Sequence, residues 1–168
     1  MKCPRALEFI GNYLTVLSQR MLAEAPNEGC ALLIGTKKQS CELRQEDIFQ
    51  VQMIWPCCNV WAPEIVEILE PEKKTNIAQT QNLSKESRFI IDPKEQLNAQ
   101  RWAREHHLTI LGSAHSHPQG AAIPSAVDLF WSFAPRLMVI IGELGDVRAW
   151  WLEADPKFPP KEVAIWEG

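Results

Sequence analysis

The sequence has no basic excess: 17 lysines and arginines stand against 21 aspartates and glutamates, for a net charge of −4. That balance argues against a protein built to grip phosphate backbones, and no nucleic-acid partner is expected. No apolar run approaches the ~20 residues that cross a bilayer. The opening "MKCPRALEFIGNYL" lacks the apolar stretch of a secretion signal, so a cytoplasmic protein with no membrane partner is expected. Cysteines number five (Cys3, Cys30, Cys41, Cys57 and Cys58), an odd count with no C-x-x-C pair. This usage suits reduced, mostly buried thiols rather than a disulfide framework or a cysteine metal cluster. Internal repeats and low-complexity tracts are also missing.

What is present is the make-up of an ordinary globular domain. The 168 residues are 46% hydrophobic and 23% charged, enough to bury one core. Leu7, Ile10, Leu14, Leu17 and Met21 recur at spacings of three and four and predict an amphipathic helix over 4–23, ended by Pro26. "GCALLIG" (29–35) reads as a buried strand, "TKKQSC" as a turn, and 41–44 as a further strand. "DIFQVQMIW" predicts another strand, stopped by Pro56. Residues 62–87 are polar and carry two prolines. They read as a long exposed loop, with a helical turn at 63–69. After a brief strand at Phe89–Ile91, Asp92, Pro93 and Glu95 form a helix start. The helix runs over 93–107, with Leu97, the stem of Arg101 and Trp102 expected on its inner face. His106 and His107 at its end suit the negative pole of the helix dipole. "LTILGSAHSH" predicts a strand and "SAVDLFWSF" a short helix. "RLMVIIG", "VRAWWLE" and "EVAIWE" predict three final strands, with Trp150, Trp151 and Trp166 assigned to core packing. The expected result is a single mixed α/β domain over 1–168, with two substantial helices and seven or eight strands.

The chemistry concentrates where the strand "LTILGSAHSH" ends. In a continuing strand, His115 and His117 at i and i+2 leave the same face, as two ligands of one ion must. Pro118 breaks the strand, a loop of small residues leads to Ser125, and Asp128 follows one helical turn later. Two imidazoles and a carboxylate make a ligand set typical of catalytic zinc. The pattern S-x-x-D is also a helix-capping signature, and the two readings are compatible. Glu28, in "APNEGCALLIG", stands at the mouth of a core-bound strand, where a carboxylate needs a partner or a task unless it is a solvated loop residue, the reading that position alone favours.

The string His115-Ser116-His117-Pro118, with seven residues between His117 and Ser125 and then Ser125-x-x-Asp128, matches the signature of the JAMM (MPN+) metallopeptidases. "NEGCALLIG" resembles the segment in which that family carries its upstream glutamate, and "FIIDP" and "LTILGSAHSHP" resemble its central stretch. The similarity runs from about residue 5 to residue 152. It implies a curved mixed β-sheet flanked by helices, resembling the cytidine-deaminase architecture. It implies one zinc ion per chain held by His115, His117 and Asp128. Glu28 would take a proton from the attacking water and pass it to the leaving amine. Ser125 would hydrogen-bond the oxyanion of the tetrahedral intermediate. This sequence departs from the family pattern at Ala114, Ala31 and the long 62–87 stretch, which has no match to the insertions that position ubiquitin chains.

Small stand-alone members of that family resemble enzymes that trim ubiquitin-like β-grasp sulfur carriers. The expected partner is therefore a protein or peptide substrate, with a C-terminal tail recognised in extended form. The alternative is a non-catalytic module for protein binding or scaffolding, as in relatives that have lost their metal ligands. Retention of all five chemical positions argues for the enzyme. Deaminase chemistry is excluded by the missing H-x-E and P-C-x-x-C patterns.

Overall fold

The computed structural model describes residues 2–39, 47–65, 84–130, 136–155 and 157–168. Among these residues, seven strands curl into one mixed sheet. They are β1 (Ala6–Phe9), β2 (Cys30–Gln39), β3 (Asp47–Cys57), β4 (Thr109–Ser116), β5 (Arg136–Ile141), β6 (Val147–Leu152) and β7 (Lys161–Glu167). The order is β1-β3-β2-β4-β5-β6-β7, and the sheet closes on itself because β1 pairs in parallel with both β3 and β7. The parallel pair β4–β5 lies between antiparallel pairs β2–β4 and β5–β6. The expected curved mixed sheet flanked by helices is thus present, with the curvature carried through to a barrel.

Among the described residues three helices accompany the sheet: α1 (Tyr13–Leu22), α2 (Pro93–Glu105) and α3 (Ala126–Phe130). Leu17 and Met21 of α1 join Leu7, Phe9, Leu33, Val51, Leu111 and Trp151 in the largest apolar cluster. Alternation along β2 sends Cys30, Leu32 and Ile34 to the opposite face, where they meet Ala99 and Ala103 of α2. A third cluster, Ala122, Met138, Ile140, Trp150 and Leu152, lies on that same opposite face of β5 and β6. Each fully buried large side chain here is worth about 1.5–3 kcal/mol.

Several elements differ from the pattern reading. The helix expected over 4–23 begins only at Tyr13, and Ala6–Phe9 is a strand. Leu7 and Phe9 alternate into the core while two neighbouring strands take up the backbone bonds of β1, which outweighs helical spacing. Gly11, at φ 59°, makes the break. Strand β2 continues through Thr36–Gln39, where a turn was expected; the strand expected at 41–44 lies outside the described residues. Strand β3 runs through Pro56, since β1 pairs with it only up to Val51. Beyond that point its outer edge tolerates a residue without an N–H. The brief strand at Phe89–Ile91 reduces to one bridge, Asn59 to Ile91.

Helix α2 buries Ala99 and Ala103, whose small side chains let it lie close to the sheet, and leaves Leu97 64% exposed; Arg101 is exposed as well. Trp150 and Trp151 are both buried, on opposite faces, whereas Trp166 is 39% exposed under the guanidinium of Arg5. Cys58 is exposed, not buried. Burial pushes the Cys57 thiol up to about 12 and raises Cys30 as well, which leaves both inert as nucleophiles. Of the 62–87 stretch, the described part holds a helical turn at 63–65 and the segment from 84 onward. No helix among the described residues is long and apolar enough to cross a membrane.

Candidate functional site

The sequence-predicted residues assemble at the C-terminal end of β4. His115 is the last but one residue of that strand, on the face that packs against α2, and is fully buried. His117 follows the strand, and its N–H still continues the ladder by donating to the Ile141 carbonyl at 2.8 Å. That continuation keeps both rings on one face, 4.8 Å apart between centroids. Ser116, between them, points the other way and is buried. Its Oγ accepts the Gly29 N–H at 2.9 Å and donates to the Met21 carbonyl at 3.4 Å.

The loop from Pro118 to Pro124 is held down from beneath. Trp150 Nε1 donates to the Ala122 carbonyl at 2.9 Å, and Glu143 N–H to the Gly120 carbonyl at 2.8 Å. Where α3 begins, Ser125 N–H donates to Asp128 Oδ2 at 2.7 Å and Asp128 N–H to Ser125 Oγ at 3.2 Å. This reciprocal pair is the capping arrangement the S-x-x-D pattern suggested. It also fixes the carboxylate beside His115 and His117, so capping is compatible with a ligand role. Arg136 Nη2 donates to the Asp128 carbonyl at 2.7 Å and secures the same turn from β5.

These elements bring three side chains together. His115 Nε2 and His117 Nε2 are 2.9 Å apart, and the two oxygens of Asp128 approach one ring each, Oδ1 to His115 at 3.4 Å and Oδ2 to His117 at 3.6 Å. Among the described residues this is the group of histidine, cysteine and acidic side chains that could hold a metal ion. A tetrahedral zinc site with bonds near 2.0–2.1 Å has ligand atoms about 3.3 Å apart, and the contacts from each imidazole to the other ring and to its nearer carboxylate oxygen bracket that value. Lone pairs facing one another this closely repel unless a cation or a proton sits among them. The Ala121 carbonyl, 2.9 Å from His117 Nδ1, accepts a hydrogen bond from that N–H and so leaves the Nε2 lone pair toward the group. Among the described residues His115 Nδ1, which is buried, has no hydrogen-bond partner, and the Phe89 ring stacks on His115 at 4.4 Å.

The titrations follow from the packing. Burial lowers His115 against the opposing pull of Asp128. Burial also works to lower His117, but the bonds to Asp128 and Ala121 and the nearby Glu28 outweigh it and raise the group. Asp128 stays well below the usual carboxylate range despite burial, because His115, His117 and Ser125 hydrogen-bond its charged form. Glu28, just before β2 and only 7% exposed, is pushed up to about 7 by burial. His117 and Arg88 oppose that shift and Asp128 adds to it, so the carboxyl lies within electrostatic reach of the candidate metal-binding group. A cleft of about 370 Å³ opens beside Glu28, lined in part by Asn27, Gly29, Cys58, Asn59 and Lys85.

Two polar residues at the site escaped the sequence reading. Ser116 carried a usable signal: strand alternation aims it into the core, where a hydroxyl must find partners. Asn59 is the other. It follows the end of β3 in "PCCNV", where an asparagine reads only as a turn residue, and its four partners come from three separate segments.

The closed mixed sheet thus gathers two histidines and an aspartate at one strand end, a group that could hold a metal ion. The family model described as prokaryotic homologs of the JAB domain matches residues 12–153, and the chain belongs to that family. A desampylase of Pyrococcus furiosus is 32% identical over 81 residues, which is 46% of this chain and 56% of that protein. The chain thus aligns with little more than half the length of that relative. The solution structure of a protein from Desulfitobacterium hafniense superposes with a TM-score of 0.70 at 21% identity, covering 96% of this chain and 92% of that one. A protein from Salinibacter ruber gives 0.55 at 21% identity, with 96% and 91% covered. These two likenesses concern the fold.

Proposed function

We propose that this protein is a zinc-dependent peptidase or isopeptidase. Its substrate is the C-terminal tail of a ubiquitin-like, β-grasp protein of the sulfur-carrier type. The observation that carries the reading is the convergence of His115, His117 and Asp128 beside a carboxyl that changes charge near neutrality. The donor set of two imidazole nitrogens and one carboxylate oxygen fits zinc in chemistry and spacing. Zinc, when bound there, supplies Lewis acidity toward the scissile carbonyl and the attacking water.

The chain's own residues supply the rest. Asp128 is held ionised, and Ala121 fixes the His117 ring so that its Nε2 serves as a ligand. Glu28, poised near neutral pH, accepts a proton from water and returns it to the leaving amine. Ser125 Oγ accepts the Asp128 N–H, which leaves its hydroxyl hydrogen to meet the oxyanion of the tetrahedral intermediate. The relative's name, desampylase, supports a ubiquitin-like substrate.

The test is intact-mass spectrometry of β-grasp sulfur carriers bearing C-terminal extensions, incubated with the wild type and with Glu28→Ala. The wild type should remove the extension, and the variant should keep its zinc and be at least about a hundredfold slower, as for loss of a general base. Equal rates would remove Glu28 from the mechanism. Binding of the tail with no cleavage by either form would favour the scaffolding alternative.

A further inference from the structure

Glu28 lies outside regular secondary structure, yet its main chain is held on three sides. Its N–H donates to the Lys85 carbonyl at 2.7 Å, and its carbonyl accepts Asn59 Nδ2 at 3.0 Å. The next amide, that of Gly29, donates to Ser116 Oγ. Asn59 uses its whole bonding capacity. Nδ2 also donates to the Arg88 carbonyl at 2.9 Å, while Oδ1 accepts from Trp61 N–H at 3.0 Å and Ile90 N–H at 3.2 Å. The segment it fastens carries Phe89, the ring stacked on His115. One side chain therefore ties the residue bearing the carboxylate to the segment covering a ring of the metal-binding group.

We infer that Asn59 is a positioning residue for the hydrolysis: it locks the main chain of Glu28 to segment 84–91, setting the carboxylate and the His115 ring in one arrangement. The inference rests on the role given to Glu28 above. Asn59 itself touches no reacting atom. A displacement of about 1 Å at such a group costs on the order of a hundredfold in rate, so the lock matters to turnover more than to binding.

Two variants separate the parts of the lock. Asn59→Ala removes all four bonds. Asn59→Asp keeps the acceptor for the Trp61 and Ile90 amides but turns an acceptor toward the Glu28 and Arg88 carbonyls. With the tail-bearing carrier as substrate, both should lose about ten- to a hundredfold in kcat, with KM within about twofold and zinc content unchanged.

Independently of activity, carbon-13 NMR should follow the Glu28 carboxyl through its titration in the wild type and in Asn59→Ala. His117, Asp128 and Arg88 are the charged groups that act on the Glu28 carboxyl, and Arg20, Glu24, Lys85 and Glu95 stand round the cleft. Asn59→Ala leaves every one of those charges in place, so its Glu28 should titrate lower as water gains access. A kcat and a titration both unchanged would overturn the inference. So would a fall in kcat accompanied by loss of zinc, or one with no move in the titration. A wild type that cleaves nothing would refute the proposed activity, and the titration alone would then decide whether Asn59 sets Glu28.

Discussion

Glu28→Gln should stabilise the fold while abolishing turnover. The carboxyl is moved from its ordinary 4.5 to about 7, chiefly by burial. At 1.36 kcal/mol per unit, the folded state disfavours the ionised form by about 3 kcal/mol. Below pH 4.5 the group is protonated in both folded and unfolded chains, and wild type and variant should be nearly equal. Between 4.5 and about 7 the unfolded chain ionises first, so wild-type stability falls as pH rises. Above about 7 the whole penalty is present. Glutamine is neutral throughout, so the gap should open from near zero at pH 4.5 to about 3 kcal/mol at pH 8. For a domain of this size that is on the order of 6–10 °C in Tm. The assay is thermal or urea unfolding of both proteins across this range with metal chelated. A gap that does not change with pH, or a wild type that is the more stable at pH 8, would refute the reasoning.

Asp128→Ala removes one of the three converging acceptors and the partner of the Ser125 amide, so it should lower zinc occupancy, measured by elemental analysis after dialysis. Unchanged occupancy would exclude it as a ligand. The proton carrier must be ionised to act, so kcat/KM should fall as pH drops through its titration. A cation nearby favours the ionised form, which places that limb no higher than about 7. A rate that rises on acidification across this range would contradict the assignment of Glu28.

The site was more legible in the sequence than the fold around it. His115, His117, Ser125 and Asp128 lie on one strand end, one loop and one helical turn, where alternation and capping chemistry determine which side chains can meet. The first strand was hidden because Leu7 keeps step with the helical stripe that continues in Leu14, Leu17 and Met21. Only the pairing with β3 and β7, both distant in sequence, makes Ala6–Phe9 extended. Leu97 misled for a related reason: α2 approaches the sheet through alanines, and which stripe of a helix is buried depends on the surface it meets. Asn59 depends entirely on partners brought together by folding, so no local pattern could announce it.

The two halves of the site differ in how much of the chain each needs. The candidate metal-binding group is drawn from Thr109–Ser116 and the loop and helix that follow, a short stretch of contiguous sequence. Glu28 reaches it only through contacts of long sequence separation, such as Gly29 to Ser116. Closing such loops is slow and comes late in folding. Under the proposed function an ion could therefore be captured once β4, β5, β6 and the loop they hold have formed, whereas hydrolysis would wait for the strands that bring in Glu28. Metal content would then count every chain that has built this half, and activity only those that have folded completely.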